Sequence, residues 1–255
     1  MRLDLSAQAR TTTLPFTGLD VLDASERAFA IEDWRGRMVS EHVSARVFAA
    51  LVPQLMAAGI DPEIQAEVAA MIGEELRHAR LCAAVVHALG GEPVATIDRL
   101  DEVPRHEDAA PLEALLRNLI SISCLNETVA VAIIGASREA IVHPGLHALL
   151  TSILKDEVGH ARLGWRILEA HASQLDDGLR ERLSRYLVTA FRQLRERNTL
   201  DLHHRVSDEA VTLGVCDGRD ATGLFLRTVE EVIVPGLEAH GLEADRAWRR
   251  SARAA

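Results

Sequence analysis

The stretch EELRHARL at Glu74–Leu81 returns 82 residues later as DEVGHARL at Asp156–Leu163. Both copies read acid-Glu-x-x-His-Ala-Arg-Leu. A spacing of three puts Glu75 beside His78 on one helical face, and Glu157 beside His160 on another. The first pair interrupts an apolar stripe that includes Val68, Met71, Ala79, Cys82 and Val86. The second interrupts one that includes Leu149, Leu150, Ile153, Ala161 and Gly164. Two further segments each carry one acid on an apolar face. Glu41 stands among Trp34, Met38, Ala45 and Phe48, and Glu127 among Ile120, Cys124, Val131 and Ile134.

Four carboxylates turned into a core need compensation, because even one unpaired buried charge costs several kcal/mol after relaxation. Few basic residues share these stripes, and Arg37, one turn before Glu41, is the nearest. Two divalent cations would balance the four acids, with one imidazole for each. Oxygen donors mixed with imidazole suit iron or manganese, and zinc also accepts them. The competing reading is a pair of exposed Glu–His couples on an ordinary bundle. One such couple arises by chance, whereas two on apolar faces, each preceded by a helix with a lone inward Glu, are hard to obtain that way.

The rest of the chain reads as all-α. The sequence has 255 residues, 48% hydrophobic and 26% charged, with only 4% aromatic. Strand signals are nearly absent, and helical periodicity dominates. Residues 1–24 read as an irregular arm punctuated by Pro15 and Gly18. Helices are expected from a cap at Ser25 to about Ala58, and from Asp61-Pro62 to about Gly90. After a polar crossover at 92–110 come helices from Pro111 to about Val142 and from Pro144 to about Ser173. A fifth covers about 178–200 and a sixth about 220–240, kinked at Pro235. Short joins make the first two and the next two helices antiparallel pairs, linked by one long crossover. The expected organisation is an arm (1–24), a four-helix bundle (25–172) and a helical extension packed on it (173–255).

The net charge of −10 argues against a nucleic-acid surface or an anionic membrane patch. The N-terminus lacks an apolar signal region, and no uncharged stretch of 18 apolar residues suggests a membrane span. Three scattered cysteines suit a reducing cytoplasm rather than a disulfide framework. Arg246, Arg249, Arg250 and Arg253 read as a solvated basic tail.

Glu41, Glu75-Leu-Arg-His78, Glu127 and Glu157-Val-Gly-His160, one set per helix, resemble the ligand pattern of the ferritin-like di-iron carboxylate superfamily. The resemblance covers about residues 25–172. It implies two iron ions, or manganese alone or mixed with iron. Glu75 and Glu157 would bridge them, Glu41 and Glu127 would be terminal ligands, and His78 and His160 would bind one ion each. A metal-bound imidazole usually donates its second nitrogen to a carboxylate. Glu74 and Asp156 are suitably typed, and similar proteins pair them across helices, Asp156 to His78 and Glu74 to His160.

Ala45, Cys82, Cys124, Val131, Ile134 and Gly164 are candidate pocket walls, although buried cysteine is more often a small hydrophobe. Ser44 and Ser123 lie one turn from a ligand. The other nine histidines read as surface or capping groups. Tyr186, the only tyrosine, falls on the fifth helix and gives no support to a tyrosyl radical beside the metals. Ile153 stands where the arylamine N-oxygenases of this superfamily carry a further His.

The function expected from the resemblance is an O₂-dependent di-iron oxidase or oxygenase. It would act on a small organic substrate, with electrons from an external donor. Iron handling, as a ferroxidase, is the alternative, and a bundle without catalysis is a third. A homodimer is expected from base rates alone.

Overall fold

The computed structural model describes residues 1–12, 22–98, 100, 102–198 and 205–252. Pro15 and Gly18 of the arm, residues 199 and 200 expected to close the fifth helix, His203, His204 and Arg253 lie outside the described residues. The fold is all-α, with one small two-stranded sheet among the described residues.

Helix α2 (Ala24–Ala57) follows α1 (Ser6–Ala9) and opens one residue before the expected cap. Asp23, not Ser25, is the cap. Its Oδ1 accepts from the amides of Ser25 (2.7 Å) and Glu26 (2.8 Å), while Glu26 Oε2 accepts from the Asp23 amide at 3.3 Å. This reciprocal box satisfies orphan amides at the start of the helix. Helix α3 (Pro62–Ala88) starts as the sequence reads, with Asp61 accepting from the Glu63 amide at 2.8 Å and Pro62 in the first turn. Helices α2 and α3 pack along each other over much of their length.

The arm and the crossover depart from expectation. Strand β1 (Arg2–Asp4) pairs antiparallel with β2 (Val94–Thr96), Leu3 opposite Ala95, and the Met1 ammonium donates to the Ile97 carbonyl at 2.7 Å. Helix α1 packs against α3. Strands of three residues are too short to print a period-two pattern, so the sequence does not signal them.

Pro111 opens a continuous rod: α4 (Pro111–Leu119), a π-helical segment (Ile120–Glu127) and α5 (Thr128–Ala140). The rod is apolar and long enough to cross a membrane by length and composition. Here it packs against α6 (Pro144–Ala170) and α7 (Asp177–Asn198) and carries Glu113, Arg117 and Glu127. His143 caps α6 by accepting from the Leu146 amide at 3.3 Å.

The expected sixth helix is three pieces. Helix α8 (Asp208–Thr212) precedes α9 (Gly218–Thr228), a second π-helical segment (Val229–Ile233) and α10 (Val234–Ala239). The widened turn lies just before Pro235, where a missing amide must be accommodated. The basic tail is a correction too. Arg246, Arg249 and Arg250 are exposed, but they ride on α11 (Ala244–Ser251), which buries Ala244, Ala247, Trp248 and Ser251. Trp248 packs edge-on to Phe191 and Phe225, with the Arg195 guanidinium 3.1 Å from its ring centroid.

Two apolar clusters result. One gathers Phe48, Leu116, Leu163, Phe191 and Trp248, and the other Trp34, Met38, Val85, Leu146 and Ile153.

Candidate metal centre

Helices α2, α3, the π segment and α6 deliver the six predicted residues to one place. Donor atoms of Glu41, Glu75, His78 and Glu157 lie within 4.8 Å of one another, and so do those of Glu75, Glu127, Glu157 and His160. Glu75 and Glu157 belong to both groups. His78, His160, Glu75 and Glu157 are buried almost completely, Glu127 is 8% exposed, and Glu41 is half-buried.

Each imidazole is oriented from behind. His78 Nε2 lies 3.1 Å from Asp156 Oδ2 on α6, and His160 Nε2 lies 2.9 Å from Glu74 Oε2 on α3. Each helix thus steadies the other's histidine, the cross-helix pairing read from the sequence. With a proton on each Nε2, the two Nδ1 atoms face the carboxylates with lone pairs that a cation between them could accept. His78 Nδ1 stands 3.0 Å from Glu157 Oε1 and 3.4 Å from Glu41 Oε2. His160 Nδ1 stands 3.0 Å from Glu75 Oε1 and 3.3 Å from Glu157 Oε2. Phe48 closes one side, its ring 5.0 Å from that of His160.

Without cations this cluster is electrostatically frustrated. Burial pushes Glu127 well above the carboxylate range, and Glu157 and Glu75 push it further. Burial likewise raises Glu75 to about 8 despite the opposing influence of His160. Burial opposes ionisation of Glu157 as well, but His160 and His78 outweigh it and draw the group down to about 2. It also opposes charge on the imidazoles. Glu157 with Glu41 overcomes this at His78, raising it to about 10, and Glu157 with Glu75 at His160, raising it to about 11.

Buried atoms without a hydrogen-bond partner test whether the residues fit metal ions. Glu75 Oε2, His78 Nδ1, Glu157 Oε2 and His160 Nδ1 all lack one. Buried polar atoms are normally satisfied, and these four converge within a single cluster. The residues present fit a pair of divalent cations.

The π segment explains how Glu127 arrives. An i→i+5 turn spends an extra residue and rotates everything after it relative to an α-helix. Opposite it, Gly164 permits close contact between α6 and the rod. A Cβ there would come within 2.8 Å of Cys124 Sγ and of Ser123 Cβ, and 3.0 Å from the Leu119 carbonyl.

Glu41 and Glu127 also line a cleft of about 390 Å³ between α2 and the rod. Of the six candidate pocket residues, Ile134 lines this cleft. Ala45, Cys82, Cys124, Val131 and Gly164 do not. Cys124 and Gly164 fill a helix–helix contact, and Cys82 belongs to an apolar cluster. Burial raises both thiols well above the usual range, so they are neutral packing groups. Ser44 lines the cleft, and the buried Ser123 hydroxyl has no partner. The cleft residues Val47, Ile122, Asn126 and Arg197 were missed; no periodic signal separates them from ordinary helix positions. Arg77 was missed as well, although aligning EELRH with DEVGH marks it, because the second copy has Gly159 there.

No protein-family model matches the chain, and no curated protein matches its sequence. Among solved structures it is similar to protein 19 with aldehyde deformylating oxidase activity from Synechococcus. The TM-score is 0.60 at 19% identity, over 91% of this chain and 98% of that one. The likeness shows the fold, a ferritin-like helical bundle.

Proposed function

We propose that the protein is a non-haem di-iron oxidase or oxygenase that uses O₂ to oxidise a small organic substrate. The observation that carries this reading is the pair of overlapping Glu/His groups with Glu75 and Glu157 in common. Glu75 and Glu157 would hold both ions, Glu41 with His78 would complete one position, and Glu127 with His160 would complete the other. Manganese, alone or mixed with iron, uses the same donors. A bound iron pair would supply the redox chemistry with O₂ that no side chain here can provide.

The protein's own residues do the rest. Asp156 and Glu74 fix the tautomers of His78 and His160, so that each Nδ1 is free of its proton when a cation is bound. Phe48 and the apolar residues around the cluster keep water away. The cleft gives a substrate access to the face formed by Glu41 and Glu127. Its walls combine Val47, Ile122, Val129 and Ile133 with Ser40, Ser44, Asn126 and Arg197, a lining with room for a small organic molecule that carries a polar group. The similarity in fold to a protein with aldehyde deformylating oxidase activity agrees with this class and makes aldehydes a sensible first group to screen. Electrons beyond those of the substrate come from an external donor.

The test is O₂ consumption by the iron-loaded protein with a chemical reductant and a panel of aldehydes, alcohols and aryl compounds. Substrate-dependent uptake that Glu127→Ala abolishes is the expected result. Iron oxidation with no organic product from any compound would favour the ferroxidase alternative.

A further inference from the structure

The two halves of the site differ in one respect that their ligands do not explain. Arg77 precedes His78, and Gly159 precedes His160. Arg77 reaches across to α6, where it donates to Ser152 Oγ at 3.0 Å and to Asp156 Oδ2. Its Nη2 also stands 3.4 Å from His78 Nε2. Asp156 Oδ2 therefore accepts from a guanidinium and from His78 together. An acceptor already engaged by a cation gives less electron density to the imidazole it supports. The guanidinium charge also opposes a second positive charge on the far side of the same ring.

The other half has neither effect. Glu74 Oε2 accepts from His160 Nε2, and no Lys or Arg bridges to Glu74 among the described residues. A second cation points the same way. Arg37 is paired with Asp33 at 3.2 Å and donates to the Gly214 carbonyl at 2.7 Å. It also lies within electrostatic range of Glu41, which belongs to the His78 group alone. Among the largest influences on Glu127 and His160 there is no arginine.

We infer that the two metal positions are unequal: the His160 position fills first and holds its ion more tightly, and Arg77 is the positioning residue that sets the difference. The inference rests on the two-cation reading above. Loading is then sequential, and at limiting metal the protein carries one ion, held by Glu75, Glu127, Glu157 and His160.

The experiment is an anaerobic titration of the metal-free chain with Mn(II), with free Mn(II) read by electron paramagnetic resonance. Two binding phases separated by about tenfold or more are expected, the size of one added charge interaction at close range. His160→Ala removes the tight phase, and His78→Ala keeps it. Arg77→Gln tightens the weak phase and narrows the gap to about threefold, whereas Arg77→Lys, which retains the charge, preserves the gap. Gly159→Arg, at a position where a Cβ meets nothing within 4 Å, weakens the tight phase. Circular dichroism checks that each variant is folded, and if Gly159→Arg is not, the two Arg77 variants decide. Two equal phases in the unaltered protein, or a gap that Arg77→Gln leaves unchanged, would overturn the inference while sparing the dimetal reading. No Mn(II) binding at all would overturn both.

Discussion

At the scale of single residues, the centre behaves as a set of bases waiting for cations. His78 and His160, raised to about 10 and 11, are both protonated at neutral pH when no metal is present. A ligating imidazole must be neutral, so protons and metal compete for the same nitrogens. Metal loading at pH 7 should therefore release about four protons per chain, one from each imidazole and one each from the raised carboxyls of Glu75 and Glu127, measurable in weakly buffered solution with a pH indicator. The direction follows from the raised values: affinity for metal rises from pH 6 to pH 8. Release of no protons would mean that the two imidazoles do not ligate. Replacing a terminal carboxylate is a second test at this scale. Glu41→Ala should deplete the His78 position and Glu127→Ala the His160 position, each lowering metal content by about one ion per chain. The six clustered residues were legible in the sequence as candidate ligands because Glu and His on an apolar face violate the pattern around them. Arg77 was not, since an arginine on an amphipathic helix looks like any solvated one.

At the scale of secondary elements, geometry invisible in the sequence aims the ligands. The π segment at Ile120–Glu127 has no compositional mark, because an extra residue in a turn changes hydrogen-bond connectivity and not residue type. Deleting Ile122, which is only half-buried, should let the rod close as a regular helix. Because the deletion removes the one residue that the widened turn absorbs, Glu127 would keep its direction toward the cluster. The expected outcome is a folded protein by circular dichroism that keeps metal at the His160 position; loss of that metal would show that the widened turn does more than set the register of Glu127. Gly164 carries the matching prediction. Gly164→Ala forces a methyl against Cys124, Ser123 and the Leu119 carbonyl, and should destabilise by about 1–3 kcal/mol, read as a lower thermal midpoint. The helix starts at Asp61-Pro62, Pro111 and Pro144 were readable because proline and capping residues act locally. The strands at Arg2–Asp4 and Val94–Thr96 escaped because their pairing is set between segments more than 90 residues apart.

At the scale of the whole molecule, the extension after the fourth bundle helix is part of the core. Glu113, 4% exposed, accepts from Arg117 at 2.6 Å and Arg182 at 2.7 Å, which ties α7 to the rod. Trp248 fixes α11 against Phe191 and Phe225. Trp248→Ala should cost about 3–5 kcal/mol, visible in denaturant unfolding, whereas a solvated tail would tolerate the change. The sequence obscured this docking because four arginines within eight residues dominate the segment and leave one apolar face only two turns long. The fold class and the bundle were legible over residues 25–172, where long periodic helices carry the signal. We propose that this bundle is built around two cations. The measurement that tests it most directly is iron per chain after anaerobic Fe(II) loading and removal of unbound metal, by elemental analysis. About two irons per chain are expected, falling to about one in Glu127→Ala. No retained iron, or two irons retained in a variant lacking both His78 and His160, would contradict it.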